Sequence, residues 1–310
     1  MGIIPSLTPS LIGQCLLDEE QPFRRRLLPE AVVDAICRYG APVGSALEIS
    51  ECQGRCMDLA REKITEFEVT GKSFPSGMGF VARELTAGKG RFQRLWHAPR
   101  GGLWLTLVLV DTLLPETSRL YPLAAGVACG ELLRQYGIDA HIRWVNDVQL
   151  QGRKIAGILS ETFTGPVYRE RYVLIGIGLN VNNDVFPGEL APIATSMKEQ
   201  LGSEQELALV AARLFAKLAW NIGLLHYQEA LRFNGEEEDS PDGHDSLIIQ
   251  AWKGLTDSIG RSVWFGFDVQ KNPQYRAQVL GIQHDGGLIL KLAESEDVVV
   301  EYSGEIRYLD

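Results

Sequence analysis

A chain of 310 residues with an ordinary apolar share of 45% suits one large domain with a smaller one attached, not a minimal domain. A formal net charge of −10 excludes bulk attraction to nucleic acid, although a local basic cluster can still hold a phosphate. Five irregularly spaced cysteines exclude a disulfide framework, and Cys52 and Cys56, at zinc-like spacing, lack a second Cys/His pair nearby, so free thiols are expected.

Nothing at the start reads as a basic-then-apolar leader, and no run reads as long and apolar enough to span a bilayer. A cytoplasmic protein that meets neither membrane nor nucleic acid is the expectation. Met1-Gly2 with Ser6 fits a myristoylation pattern too short and too common to carry an argument.

Residues 1–45 are poorly patterned and broken by Pro5, Pro9, Pro22, Pro29 and Pro42, with one short helix predicted over 29–39. The trio Arg24-Arg25-Arg26 reads as a solvated turn. Order begins near residue 46, with a strand over 46–50, a helix over 57–64 and a strand over 79–83. Residues 103–110 form a strongly apolar strand, and 122–136 a helix with Pro122 in its first turn and Gly137 at its stop. A hairpin around Gly152 and a strand over 172–178 follow. Residues 204–227 predict a long helix, its apolar positions 207, 210, 211, 214, 218, 222 and 225 forming one core-facing stripe. Residues 234–245 are an acidic Gly/Pro insert, expected to be exposed or disordered. Beyond Trp252, strands over 261–268, 274–282, 287–292 and 298–302, with turns at Asn272-Pro273 and Asp285-Gly286-Gly287, make a compact all-β module.

Three stretches carry chemistry. Residues 143–161 run from a Trp-Val-Asn-Asp turn through Lys154 to Gly157. Lys154 leaves a polar hairpin tip and enters the apolar run 155–159, so a strand gives its ammonium a fixed direction, while Gly157 lets a ligand approach the backbone. Asn146 and Asp147 stand where they can bond a sugar or orient a cation. The second stretch, residues 87–96, holds Gly88, Lys89, Gly90, Arg91, Arg94 and Trp96; its glycines can turn N–H groups toward an anion, although glycine-rich basic loops are also common on surfaces. The third, residues 175–182, is a strand with Gly178 and Asn180, which alone reads equally as tight core.

Together these resemble the biotin protein ligase family. Residues 143–161 resemble its Lys-Trp-Pro-Asn-Asp and Lys-x-Ala-Gly-Ile-Leu motif, with Arg143 for the first lysine and Val145 for the proline. Residues 87–96 resemble its Ala-Gly-Arg-Gly-Arg-x-Gly-Arg-x-Trp loop, with Lys89 for an arginine and Gln93 for the third glycine. Residues 175–182 and 194–197 resemble its Ile-Gly-Ile-Gly-Ile-Asn-Val-Asn strand and the Ala-Thr-Ser-Leu that follows, and the last residues resemble its closing turn. Two departures stand out: Leu85 where the family has a glutamine near biotin, and Arg55-Cys56-Met57 where it has the Ser-Thr-Asn that binds the ureido ring.

The resemblance covers roughly residues 46–310. It implies an α+β fold, with a class II aminoacyl-tRNA-synthetase-like mixed sheet, flanking helices and a small C-terminal SH3-like β-barrel. The expected division is an extension over 1–45, a catalytic domain over 46–255 and the barrel over 256–310. It implies an ATP-dependent ligase that forms biotinyl-5'-AMP and passes biotin to a lysine of a biotin carboxyl carrier protein or domain, using ATP and Mg²⁺. Lys154 and Arg91 become the catalytic cations. Gly88, Lys89, Gly90, Trp96, Asn146, Asp147, Gly157, Gly178 and Asn180 become biotin or adenylate contacts, with Asp147 as candidate magnesium ligand. The loop 86–96 becomes a lid over the adenylate. Some members add an N-terminal DNA-binding helix-turn-helix, for which one helix leaves no room here. Members often dimerise through the central sheet, so a homodimer is expected. Two alternatives share the fold, a lipoate or octanoate ligase or transferase and a non-catalytic ligand-binding relative.

Overall fold

The computed structural model describes residues 6–145, 147–235 and 246–309. The acidic insert and Asn146 therefore lie wholly or largely outside the described residues.

The N-terminal region is helical: α1 (Pro9–Cys15), α2 (Gln21–Arg24) and α3 (Glu30–Gly40). Two of the prolines that read as breakers, Pro9 and Pro22, instead lie in helices. Pro9 opens α1 behind a Thr8 cap whose hydroxyl accepts the Leu11 N–H, and Pro22 lies in the first turn of α2, directly after a π-helical stretch over Leu16–Glu20. Of the basic trio, Arg25 and Arg26 lie in an exposed turn as expected, but Arg24 does not. Arg24 is only 8% exposed, donating to Glu20 at 2.8 Å and Glu131 at 2.6 Å and lying 4.7 Å over the Trp220 ring. Its cation is drawn inward by two carboxylates, of which Glu20 also pairs with Lys217 and Glu131 also accepts from Asn221.

Next come β1 (Leu47–Ser50), α4 (Cys56–Val69), β2 (Met78–Ala82), β3 (Leu103–Val110), α5 (Pro115–Ser118) and α6 (Tyr121–Gln135). Four strands follow, β4 (His141–Arg143), β5 (Asp147–Leu150), β6 (Arg153–Thr164) and β7 (Arg171–Leu179), then α7 (Met197–Leu201), α8 (Leu207–Asn234) and α9 (Leu247–Leu255). The seven strands form one mixed sheet in the order β1-β2-β3-β7-β6-β5-β4, parallel only between β1 and β2.

Helices cover both sheet faces. Alternate residues Leu103, Leu105, Leu107 and Leu109 of β3, with Val173, Ile175, Ile177 and Leu179 of β7, join the main core with α3, α6 and α8. The opposite set, including Val108, Tyr172 and Leu174, packs under α4 through Met57, Ala60 and Ile64. By length and composition α8 could cross a membrane, a property not evident in the sequence pattern, yet 83% of its apolar window is buried inside the protein. It is a core helix.

The C-terminal strands β8 (Ser262–Gly266), β9 (Tyr275–Ile282), β10 (Leu288–Leu292), β11 (Val298–Glu301) and β12 (Glu305–Tyr308) form a second, antiparallel sheet in the order β11-β10-β9-β8-β12. This is the small SH3-like module. Of residues 303–306, expected as a closing turn, Glu305 and Ile306 instead begin its edge strand β12, paired to β8.

Candidate active site

On the α4 face of the sheet, β7 presents glycine twice in succession, at Gly176 and Gly178. Gly178 lies opposite Trp104 of β3 and Gly157 of β6, and Gly176 opposite Thr106 and Leu159. Strand side chains alternate between faces, so these residues form two rungs of one groove with no side chain on its central strand. The glycines are required by close approach. A Cβ at Gly178 would sit 2.5 Å from the Trp96 indole nitrogen, and one at Gly176 would sit 2.8 Å from Cε of Met57. The groove encloses a cavity of about 320 Å³.

Lys154 stands at one end. The hairpin tip before it turns through Gln151 and Gly152, both with positive φ, and β6 is tied on its other side to residues 193–195. The Lys154 N–H donates to the Ile193 carbonyl at 2.7 Å, and its carbonyl accepts from Thr195 at 3.0 Å. With the backbone pinned twice, the side chain runs back over Gly157. Its ammonium lies 4.9 Å over the Trp96 ring and contacts the Asp147 carboxylate. Arg143 donates to the other Asp147 oxygen at 2.8 Å. Burial alone would raise the Asp147 pKa, but Lys154 and Arg143 outweigh it and hold the group down at about 2.

Both Asp147 oxygens are thus engaged by cations, and among the described residues no group of three or more His, Cys, Asp or Glu is gathered for a metal. The residues present do not fit a protein-held magnesium ion at Asp147.

The basic loop is a closed hairpin. Trp96 N–H donates to Gly88 at 2.9 Å and Gly90 N–H to Arg94 at 2.8 Å, with Phe92 and Gln93 both at positive φ. Lys89, Gly90, Arg91 and Trp96 all line the cavity with Lys154, while Gly88 packs behind it against the Trp96 carbonyl. The arginines reach the C-terminal module. Arg91 donates to the Gly304 carbonyl at 2.7 Å and the Ser303 hydroxyl at 3.3 Å, and Arg94 pairs with Asp268 at 3.1 Å and with Glu305. Phe92 adds an edge-to-face contact with Phe267. Burial lowers the Arg91 pKa against the opposing pull of Glu305 and Asp147.

Asn180 lines the cavity too, but its amide nitrogen donates to the Thr195 carbonyl at 2.9 Å, stitching the segment after β7 to the segment that pins β6. Several lining residues escaped sequence reasoning: Arg143, Thr106, Glu305 and the 186–194 segment. Arg143 carried a signal in its place at the head of the Trp-Val-Asn-Asp motif, and Ala194 and Glu305 in the runs that resemble the family; Thr106 carried none.

At the far end, Arg55, Cys56 and Met57 start α4 and line the cavity beside Leu85. Cys56 is no nucleophile: burial pushes its thiol up to about 12, and it donates weakly to the Trp104 carbonyl at 3.8 Å. Arg55 is held by Glu161 at 3.0 Å, which also binds Arg61.

Residues 61–182 match the biotin/lipoate A/B protein ligase family. The bifunctional ligase/repressor BirA of Bacillus subtilis is 32% identical over 253 residues, covering 80% of this chain and 71% of that protein. A biotin–[acetyl-CoA-carboxylase] ligase of Paracoccus denitrificans is 38% identical over 150 residues, covering 44% of this chain and 59% of its own. Biotin protein ligase from Aquifex aeolicus, solved with biotin and ATP, shares the fold at a TM-score of 0.65 and 21% identity, over 85% of this chain and 98% of that one.

Proposed function

The chain belongs to the biotin/lipoate A/B protein ligase family, and from that membership we propose that it activates biotin with ATP and transfers it to a lysine of a biotin carboxyl carrier protein or domain. The observation that carries this reading is the groove itself: a floor strand whose Gly176 and Gly178 carry no side chains of their own, with Met57 and Trp96 lying over them and the Lys154 ammonium over one end. An apolar acid with a compact ring suits such a floor, and a nucleotide phosphate suits the ammonium.

In the first step a carboxylate oxygen of biotin attacks the α-phosphorus of ATP; the new P–O bond forms as the bond to pyrophosphate breaks. Lys154 supplies positive charge as it builds on the phosphate oxygens, exchanging its contact with Asp147 for one with the phosphate. Asp147 and Arg143 orient that lysine before ATP arrives. Arg91, lining the same cavity, is the second cation. Magnesium, where it takes part, comes on the nucleotide phosphates and not through Asp147.

In the second step the carrier's lysine amine attacks the biotinyl carbonyl, and AMP leaves with the former anhydride oxygen. Trp96 and the loop over residues 86–96 shield the anhydride from water between steps. In this reading residues 46–255 are the catalytic unit, residues 256–310 the barrel and residues 1–45 an extension whose helices α1 and α3 pack on α8.

The test is pyrophosphate release with biotin, lipoate or octanoate as the acid. Biotin-dependent release followed by labelling of a carrier supports the proposal. Release with lipoate or octanoate but not biotin overturns it in favour of the lipoate branch, and no release with any acid overturns it in favour of a binding protein.

A further inference from the structure

We propose that Arg55 is a specificity-determining residue that donates to the ring carbonyl of biotin; the inference rests on the biotin-ligase reading and names how this chain recognises the head of its substrate. The groove has a direction. Lys154 folds over Gly157, level with Gly178, and this is where the acid must react. The next rung, Gly176 between Leu159 and Thr106, lies two residues along β7, about 7 Å away at the strand rise. A carboxylate held at Lys154 therefore sends its chain along the glycines and its ring toward the α4 end.

That end is apolar, with Met57 over Gly176 and Leu85 and Leu159 in the walls. Arg55 brings a charge to it. Its side chain is 13% exposed, and it lines the cavity directly. Glu161 fixes one terminal nitrogen at 3.0 Å, Met57 Sδ lies 3.5 Å from the same nitrogen, and Asp58 reaches the other at 3.4 Å. These contacts set the plane of the guanidinium yet involve fewer than its five N–H donors. Glu161 does not line the cavity and acts as a positioning residue.

The bicyclic head of biotin carries a cyclic urea whose carbonyl oxygen accepts hydrogen bonds. Octanoate and the dithiolane of lipoate carry no such acceptor. Seating an apolar tail against Arg55 would strip water from the guanidinium without replacing its bond, the arrangement by which a polar site rejects an analogue lacking the acceptor. The side chain standing in place of the family's hydroxyl and amide donors thus restores a donor of a different kind.

The experiment uses the full-length chain and initial rates of pyrophosphate release. Hydrogen bonds to charged groups are worth about 1.5–3 kcal/mol, so Arg55→Met should raise the KM for biotin about 10–100-fold while kcat stays within about threefold. The KM for octanoate should hold or fall. Arg55→Lys should recover part of the biotin loss. In 2-iminobiotin a protonatable imine replaces the carbonyl, so wild type should discriminate strongly against it and Arg55→Met should not, a change that a purely structural arginine would not produce. A biotin KM within twofold of wild type in Arg55→Met, or unchanged discrimination against 2-iminobiotin, overturns the assignment. Should Arg55→Met fail to fold, Arg55→Lys decides alone: a biotin KM raised several-fold supports the contact and an unchanged one overturns it. A wild-type enzyme inactive with biotin would instead sink the ligase reading.

Discussion

The groove floor and the loop above it hold their charges by opposite means. Lys154 and Asp147 are seven residues apart, joined by one hairpin, and strand register brings them together. Arg91 and Arg94 are positioned by Gly304 and Glu305, more than 200 residues further along the chain. The first arrangement is stiff, because every residue between the two charges is in the sheet or its turn. The second depends on a docked module, and its contacts include exposed ion pairs that individually contribute little. Chemistry that needs a fixed charge is therefore best placed on the floor, and a step that needs opening and closing is best placed in the loop.

The largest break in that comparison is Lys154→Ala. Losing a preorganised charge on the floor should slow pyrophosphate release by about 10²–10³ in kcat. A rate within threefold of wild type would remove Lys154 from the chemistry.

Gly178→Ala comes next. The added methyl meets the Trp96 indole nitrogen at 2.5 Å, so the ring must move or the strand must bend. Overpacking of this kind costs about 1–3 kcal/mol, which denaturant unfolding would register, and the tryptophan fluorescence should shift with it. Unaltered fluorescence and stability would mean that the indole does not rest on this strand.

The floor's ion pair also predicts an acid profile. The folded pKa of Asp147 lies at about 2, below its ordinary value of 3.8, so its contribution is complete above about pH 4 and is lost as pH falls toward 2. Such a shift corresponds to roughly 2 kcal/mol, and Asp147→Asn should flatten the stability curve across that window. Equal acid sensitivity in the variant and wild type would contradict the pairing.

Glu305→Gln should have the smallest effect on stability, about 0.2–1 kcal/mol for a partly exposed pair. Its signature lies in the loop: trypsin should cleave after Arg91 or Arg94 several-fold faster, while the floor stays protected. Unchanged cleavage would mean that the C-terminal module does not hold the loop.

Legibility follows the same division. The hairpin at Gly152, the strand carrying Lys154 and the glycine-bearing β7 were readable because turn chemistry and period-two spacing act over a few residues. The strands of the C-terminal module were readable for the same reason, apart from β12, whose pairing with β8 needs a partner some 40 residues away. The helix predicted over 29–39 is α3, whereas α1 and α2 escape the sequence reading because a proline at a helix start and a proline that breaks one look alike until the helix has something to pack on. Arg24 looked solvated because its partners Glu131 and Trp220 lie more than 100 residues away.

By itself the chain's order of residues determined the family, the two-sheet architecture and the lysine on a rigid strand, since local spacing and turn preferences are written in adjacent residues. Tertiary structure alone decided which distant carboxylates the arginines meet: Glu161 for Arg55, Glu305 and Asp268 for Arg94, Glu131 for Arg24. With 40 acidic residues to choose from, no spacing rule selects a partner. The selection is made when sheet and helices pack, because burial makes an unpaired charge so unfavourable that only arrangements bringing opposite charges together survive.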